Sequence, residues 1–474
     1  MKRIIALILV ATSFVVFSNV SSASIKPGAT CSPKGKTTII GGVKYTCVLN
    51  GKKLVWNKGI NLVTTSTTSV LLPTTTVATQ LSADGHPLAL VSTDSIQTCE
   101  ITDQRITQIQ NNNVGFPLSL REIVTKGTVN IVLMPIDFSD APGTQSPTTI
   151  FQPIMDQMSS WVKEFSNNKL TYNIQAGSSW IRAPKPSSDY KVPVLIAGNT
   201  YVDLQNYQNS VAQSFIDASG SQFNFKDVTA VFFYFSSSPS GIPNGMEGRN
   251  AALQTKQGQI NTLYYGPGTY SYSHPTTMGQ LFIHEMLHSQ GLAGHAPGDG
   301  FITGIMQNQD GSGVLDAWST FLLDWFEPSQ VFCVSKSKVS GQYVELTPLE
   351  VVEGGFKSLM IPISSHVILV VESRRPVGFS SLWENTDMGI FVYKVDTTMD
   401  NDRSHESSGD TGNDIAFSKY AYYLHPDSRP SSIDSGISKY QNYLVKAGES
   451  VTYAGIKISL ILSGDQDLIH IEAS

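Results

Sequence analysis

His284-Glu285-Met286-Leu287-His288-Ser289-Gln290-Gly291-Leu292-Ala293-Gly294-His295 is the stretch on which the reading turns. Met278, Leu281, Phe282 and Met286 recur at helical spacing, and His274-Pro275 opens the run with Ser273 or His274 as its cap. On such a helix His284 and His288, four residues apart, send their imidazoles out of the same side. That spacing lets two nitrogens reach one zinc ion. Glu285 is then placed to act as a general base toward a water molecule. A tetrahedral catalytic site takes three protein ligands and keeps one position open. Gly291 allows the helix to stop and the chain to turn back, so His295 offers a third nitrogen. Asp299 is the other candidate for that place.

Outward from the motif, the pattern on its N-terminal side alternates between strand and helix. Residues 129–138 read as a buried strand, Ile150 to Phe165 as a helix, residues 169–174 as a strand, Tyr207 to Ala218 as a helix and Val228 to Phe235 as an apolar strand. On its C-terminal side a helix is expected from Leu315 to Trp325. From Val339 the chain changes to short alternating runs separated by turns, an all-β pattern of sandwich type. The expected fold class is α+β: a mixed sheet with the motif helix, then a β-sandwich-like domain, with a small β module ahead of both.

That module spans residues 24–60. Thr37–Ile40, Val43–Val48 and Lys53–Trp56 read as three strands joined by turns at Gly41-Gly42 and Asn50-Gly51. Before it, Lys2-Arg3, the apolar run from Ile4 to Phe17 and Ser21-Ser22-Ala23 have the three parts of a secretory signal, so residues 1–23 are expected to be removed and the protein secreted. Residues 61–83 are Thr- and Ser-rich and read as an extended linker. The main domain is assigned to 84–338 and the C-terminal β-rich domain to 339–474.

The four cysteines, Cys31, Cys47, Cys99 and Cys333, suit an exported chain with disulfides. Three pairings are open. Closeness in sequence favours Cys31 with Cys47, which leaves Cys99 with Cys333. In another reading Cys99 is a thiolate that blocks the metal in a latent form. Hydrophobic residues make up 41% of the chain and charged ones 15%, enough apolar material for a packed core. A net charge of −6 gives no general pull toward nucleic acid or anionic membrane, and no run of like charges overrides this. After the signal, no stretch is long enough to insert into a membrane. Asp310-Gly311-Ser312-Gly313 and the segment from Asp396 to Asp414 are candidate Ca2+ loops, although neither matches an EF-hand.

The motif resembles the metzincin pattern H-E-x-x-H-x-x-G-x-x-H, with His295 one residue late and Gly294 in the expected place. Gly304-Ile305-Met306 is similar to the methionine turn of those enzymes. The wider likeness, over roughly residues 95–400, is to the immune-inhibitor-A-like (M6) branch of metallopeptidases. It rests on His284 to Leu292, Ile305-Met306, the stretch from Leu315 to Phe326, Glu372-Ser373-Arg374, and Gly389 to Asp396. The module at 24–60 is similar to one found at the N-termini of many exported actinobacterial proteins. The resemblance implies a zinc metalloendopeptidase with His284, His288 and His295 on the metal and Glu285 as catalytic base. Its partners would be protein or peptide substrates, with cell-surface association through the N-terminal module. Tyr264, Tyr265 and His274 are candidates for stabilising an oxyanion. Two other functions compete: an inactive surface or adhesion protein that keeps the fold, and a zinc hydrolase acting on a bond other than a peptide.

Overall fold

The computed structural model describes residues 26–32, 34, 36–40, 43–58, 60–61, 93–105, 113–119, 122–190, 201–237, 246–248, 251–266, 277–293, 295–297, 302–352, 354–381, 383–384, 386–399, 420–429 and 440–474. The chain falls into two compact units, Met1–Ala78 and Thr79–Ser474.

In the first unit β1 (Thr37–Ile40), β2 (Val43–Asn50) and β3 (Lys53–Trp56) form an antiparallel sheet, and β4 (Ile60–Asn61) pairs with β2. Asn50 faces Lys53 across the β2–β3 turn, whose first central residue, Gly51, has φ +62°. Glycine is favoured at that place in a two-residue hairpin loop. So small a sheet buries little, and the Cys31–Cys47 disulfide ties its β2 strand to the preceding loop.

The second unit is built on a mixed six-stranded sheet. β5 (Gly127–Asp137), β6 (Leu170–Ala176), β8 (Ala230–Phe235) and β12 (Thr262–Gly266) run parallel in the order β6-β5-β8-β12. β9 (Met246–Gly248) closes the edge antiparallel to β12, and β7 (Ile181–Arg182) pairs with the end of β5. β10 (Leu253–Thr255) and β11 (Gly258–Ile260) form a separate hairpin. Strand β8 is apolar on both sides because both faces of the sheet are covered. Ala230, Phe232 and Tyr234 pack toward α1 (Pro147–Phe165) and α3 (Met278–Ser289), whereas Val231, Phe233 and Phe235 pack toward α2 (Tyr201–Ser219). Helix α1 places Phe151, Ile154, Met158, Trp161, Val162 and Phe165 inward at three- and four-residue intervals.

After the short helix α4 (Ala317–Leu322) come two more sheets. One has the order β13 (Val331–Cys333), β15 (Ser358–Pro362), β16 (Val367–Arg374), β17 (Gly389–Asp396) and β18 (Ala421–Tyr423). The other is β14 (Gln342–Leu346), β21 (Asp467–Ala473), β20 (Ile456–Ser463) and β19 (Ser450–Tyr453). Leu369, Val371, Ile390 and Val392 meet Val344, Ile458, Leu460 and Ile469 in the core between them, so the two sheets form a sandwich. The opposite face of β16 and β17, with Ile368, Val370, Phe391 and Tyr393, joins Trp318 and Trp325 in the core that also holds α1 and α3. Every residue of β16 is buried for this reason. The fold class is thus mixed α+β with several sheets.

Candidate metal centre

Helix α3 is buried along its whole length except at Glu285. A helix buried all round belongs in a core. Here Phe282 packs on Phe232 of β8 at 4.3 Å between ring centroids. Glu285 is therefore the one place where the helix meets accessible space. Thr277 is its N-cap; Ser273, His274 and Pro275 lie outside the described residues.

The C-terminal end of α3 shows why the chain turns back. The Gly291 N–H donates to the His288 carbonyl at 3.0 Å, and the Leu292 N–H to the Leu287 carbonyl at 3.1 Å. This pair of bonds is a Schellman ending, which needs a left-handed residue just past the helix. Gly291 supplies it with φ +108°. Buried Asn113 then locks the turn: its backbone N–H donates to the Gly291 carbonyl at 2.7 Å, and its Nδ2 donates to the same oxygen and to the Ser119 carbonyl, each at 3.2 Å.

Beyond the turn His295 takes φ +52°, a conformation uncommon outside glycine, and its ring returns to the helix. Nε2 of His284 lies 3.2 Å from Nε2 of His288 and 3.4 Å from Nε2 of His295. Ligand atoms of all three fall within 4.8 Å of one another. Nitrogens bound to one tetrahedral zinc at 2.0–2.1 Å stand about 3.3 Å apart. The one-residue delay of His295 is thus taken up within the turn. Asp299 lies outside the described residues.

The other ring nitrogens of the two helix histidines are also placed. Nδ1 of His284 is 2.7 Å from the Ile305 carbonyl oxygen, and Nδ1 of His288 is 3.3 Å from that of Leu292. A carbonyl there makes Nδ1 the protonated nitrogen and leaves the Nε2 lone pair toward a metal. Among the described residues the three histidines are the one set of three or more His, Cys, Asp or Glu side chains placed to share an ion, so the donor set fits Zn2+. Both cysteine pairs are disulfides, Cys31–Cys47 and Cys99–Cys333, which leaves no thiolate for this site.

The backing segment is held from two sides. Met306 is buried in the core next to Ile305, and Gln307 Nε2 donates to the Ala296 carbonyl at 2.8 Å, tying the Ile305 turn to the loop of His295. From the sandwich, Arg374 reaches in. Its Nη2 donates to the Thr303 carbonyl at 2.7 Å and to Ser312 Oγ at 3.0 Å, while Nε and Nη1 donate to Glu350 and Glu372 at 2.9 and 3.1 Å. Its guanidinium stacks 4.7 Å above the Trp383 ring, whose Nε1 donates to the Ile302 carbonyl. Burial works against the charge of Arg374, but Glu350 and Glu372 outweigh it and hold its pKa above the ordinary value. Glu372 Oε2 accepts from the Ala317 N–H at 2.8 Å, and Tyr393 Oη accepts from the Trp318 N–H at 2.9 Å, so the same cluster fixes the start of α4. Neither Asn113 nor Gln307 was expected from the sequence, and no local pattern marks them. Glu372 and Arg374 were visible as part of a pattern, without a role.

Of the other candidates, Tyr264 is buried, with its hydroxyl donating to Ser289 Oγ at 2.6 Å, so it serves the helix end. The side chain of Tyr265, and all of His274, lie outside the described residues. Asp310 accepts from Thr277 Oγ1 at 3.0 Å and Asp396 from Thr398 Oγ1 at 2.7 Å; residues 400–419 are outside the described ones. Among the described residues no helix is long and apolar enough to cross a membrane. No protein-family model matches the chain, and no curated protein does.

Proposed function

We propose that this chain is an exported zinc-dependent endopeptidase of the metzincin type, similar to the M6 branch. The observation that carries the reading is the convergence of three Nε2 atoms beside the one accessible side chain of α3, that of Glu285. Three histidines leave a fourth tetrahedral position for water or substrate. A zinc ion there supplies Lewis-acid polarisation of a carbonyl and a lower pKa for a water. The chain's own residues do the rest. His284, His288 and His295 hold the site, with the tautomers of the two helix histidines, His284 and His288, set by backbone carbonyls. Glu285 takes the proton from the attacking water and hands it to the leaving amine. Burial of the two helix histidines keeps bulk water from competing for the ligand nitrogens.

Hydrolysis of casein or gelatin by the purified protein tests this. The expected result is cleavage that a chelator stops, that zinc restores, and that Glu285→Gln lacks while still binding zinc. A protein that binds one zinc and cleaves no protein substrate overturns the peptidase reading in favour of an inactive fold or another hydrolase.

A further inference from the structure

Counted by unit and not by run, the charge of this chain is lopsided. Residues 24–60 hold seven lysines and no Asp, Glu or Arg. The first acidic residue is Asp84; nine positive charges precede it, so residues 84–474 carry a net −15. The lysines are spaced, so they form no run of like charges, and the imbalance lies between the two parts of the chain. The first unit puts them outside: Lys26, Lys34, Lys36, Lys52, Lys53 and Lys58 are exposed. The unit has no carboxylate side chain with which to neutralise them. By register Lys36 and Lys58 stand level with the middle of β2, and Lys52 and Lys53 at its end. Lys36 precedes β1, with its carbonyl accepting from the Cys47 N–H; Lys53 opens β3 opposite Asn50; Lys58 follows the same strand.

We infer that this unit is a docking module for a polyanionic polymer, one with phosphate groups repeated along its backbone, and that it tethers the chain to such a polymer outside the cell. Ammonium groups are compact point charges without the planar fork of arginine. Spread around a small disulfide-pinned sheet, they match a long chain of like charges better than one small anion. Such contacts release counterions and depend steeply on salt. An anionic membrane is the competing surface, and Val48 and Leu49 are exposed near Lys52 and Lys53. Lipid interfaces favour tryptophan and tyrosine rings. Here Trp56 is buried and Tyr45 half-buried, so the described part of the unit presents no free ring to a bilayer. The polymer is the better match.

Binding of the full chain to linear inorganic polyphosphate, with phosphatidylglycerol vesicles as the second arm, tests the inference without reference to peptidase activity. The chain should bind polyphosphate, and its affinity should fall on the order of a hundredfold or more between about 50 and about 200 mM salt. Lys36, Lys52, Lys53 and Lys58 changed together to Gln should weaken binding at least about tenfold with no change in melting temperature. The same change at Lys163, Lys226, Lys256 and Lys446 should leave binding as it was. Absence of binding to polyphosphate at low salt, equal loss in the two variants, or binding to vesicles alone each overturns the proposal.

Discussion

The two ring nitrogens of His284 are held to different tasks. Nδ1 is committed to the Ile305 carbonyl, and Nε2 points at the partners it shares with His288 and His295. Much of this was legible in the sequence because it is local: a four-residue spacing on a helix dictates where two imidazoles point. Gly291 was legible for the same reason. It now has a measurable cost attached. With φ +108°, a Cβ there would sit 3.0 Å from Asn113 Nδ2 and 3.1 Å from the Ser119 carbonyl. Gly291→Ala should destabilise the protein by roughly 1–3 kcal/mol, read by urea denaturation. An unchanged midpoint would show that the turn does not need glycine. Asn113 itself was not legible. It stands 178 residues from the turn it holds, and only the folded chain brings a single polar side chain to that place.

Among elements, strand alternation explains more than it first suggests. Ile368, Val370, Glu372 and Arg374 occupy one face of β16, so the face that buries aliphatic groups against the helices also delivers two charges there. The periodic pattern gave the strand and its apolar face; it gave no reason for the charges, since their partners Glu350, Thr303 and Ser312 come from three other segments. Arg374→Met should lower zinc affinity about 10–100-fold by loosening the Thr303–Ile305 backing of His284, measured by competition with a chromophoric chelator. Arg374→Lys should recover only part, since a point charge cannot form the fork. Unaltered zinc affinity in Arg374→Met would confine its role to stability. Helix bounds show the limits of periodicity. The spacing from Leu315 to Trp325 suggested one helix, yet α4 ends at Leu322, capped in front by Asp316 and stopped by Asp324 at φ +58°. Strands as short as β9, β10 and β13 have too few residues to show any period.

On α1, burial raises Glu164 to about 7 from an ordinary 4.5, partly opposed by Lys357. The folded state therefore holds that proton more tightly than the unfolded chain. Its stabilising share is complete below about pH 4.5 and is lost as the pH rises to about 7. Glu164→Gln should match the wild type in melting temperature near pH 4.5 and exceed it at pH 8. A constant difference across that range would contradict the assignment.

For the molecule as a whole, the Cys99–Cys333 disulfide joins residues 234 apart in sequence. It ties the first described segment of the main unit to β13 of the sandwich layer. Cys99, Ile101, Val114 and Ile123 are buried in the same core as α3, and the Ile123 N–H donates to the Ser289 carbonyl. The described parts of residues 93–124 are therefore built into the fold that supports the histidines. Cys99→Ser with Cys333→Ser should cost roughly 2–5 kcal/mol in unfolding free energy, measured by chemical denaturation, and should lower metal affinity with it. Equal stability would mean that packing alone holds the segment. The measurement that bears most directly on the account is an anomalous-scattering map of zinc-loaded crystals at the zinc edge. One strong peak is expected within bonding distance of Nε2 of His284, His288 and His295 together. A peak that omits His295, or that is completed by Asp299 in its place, or no peak at this site, would contradict it.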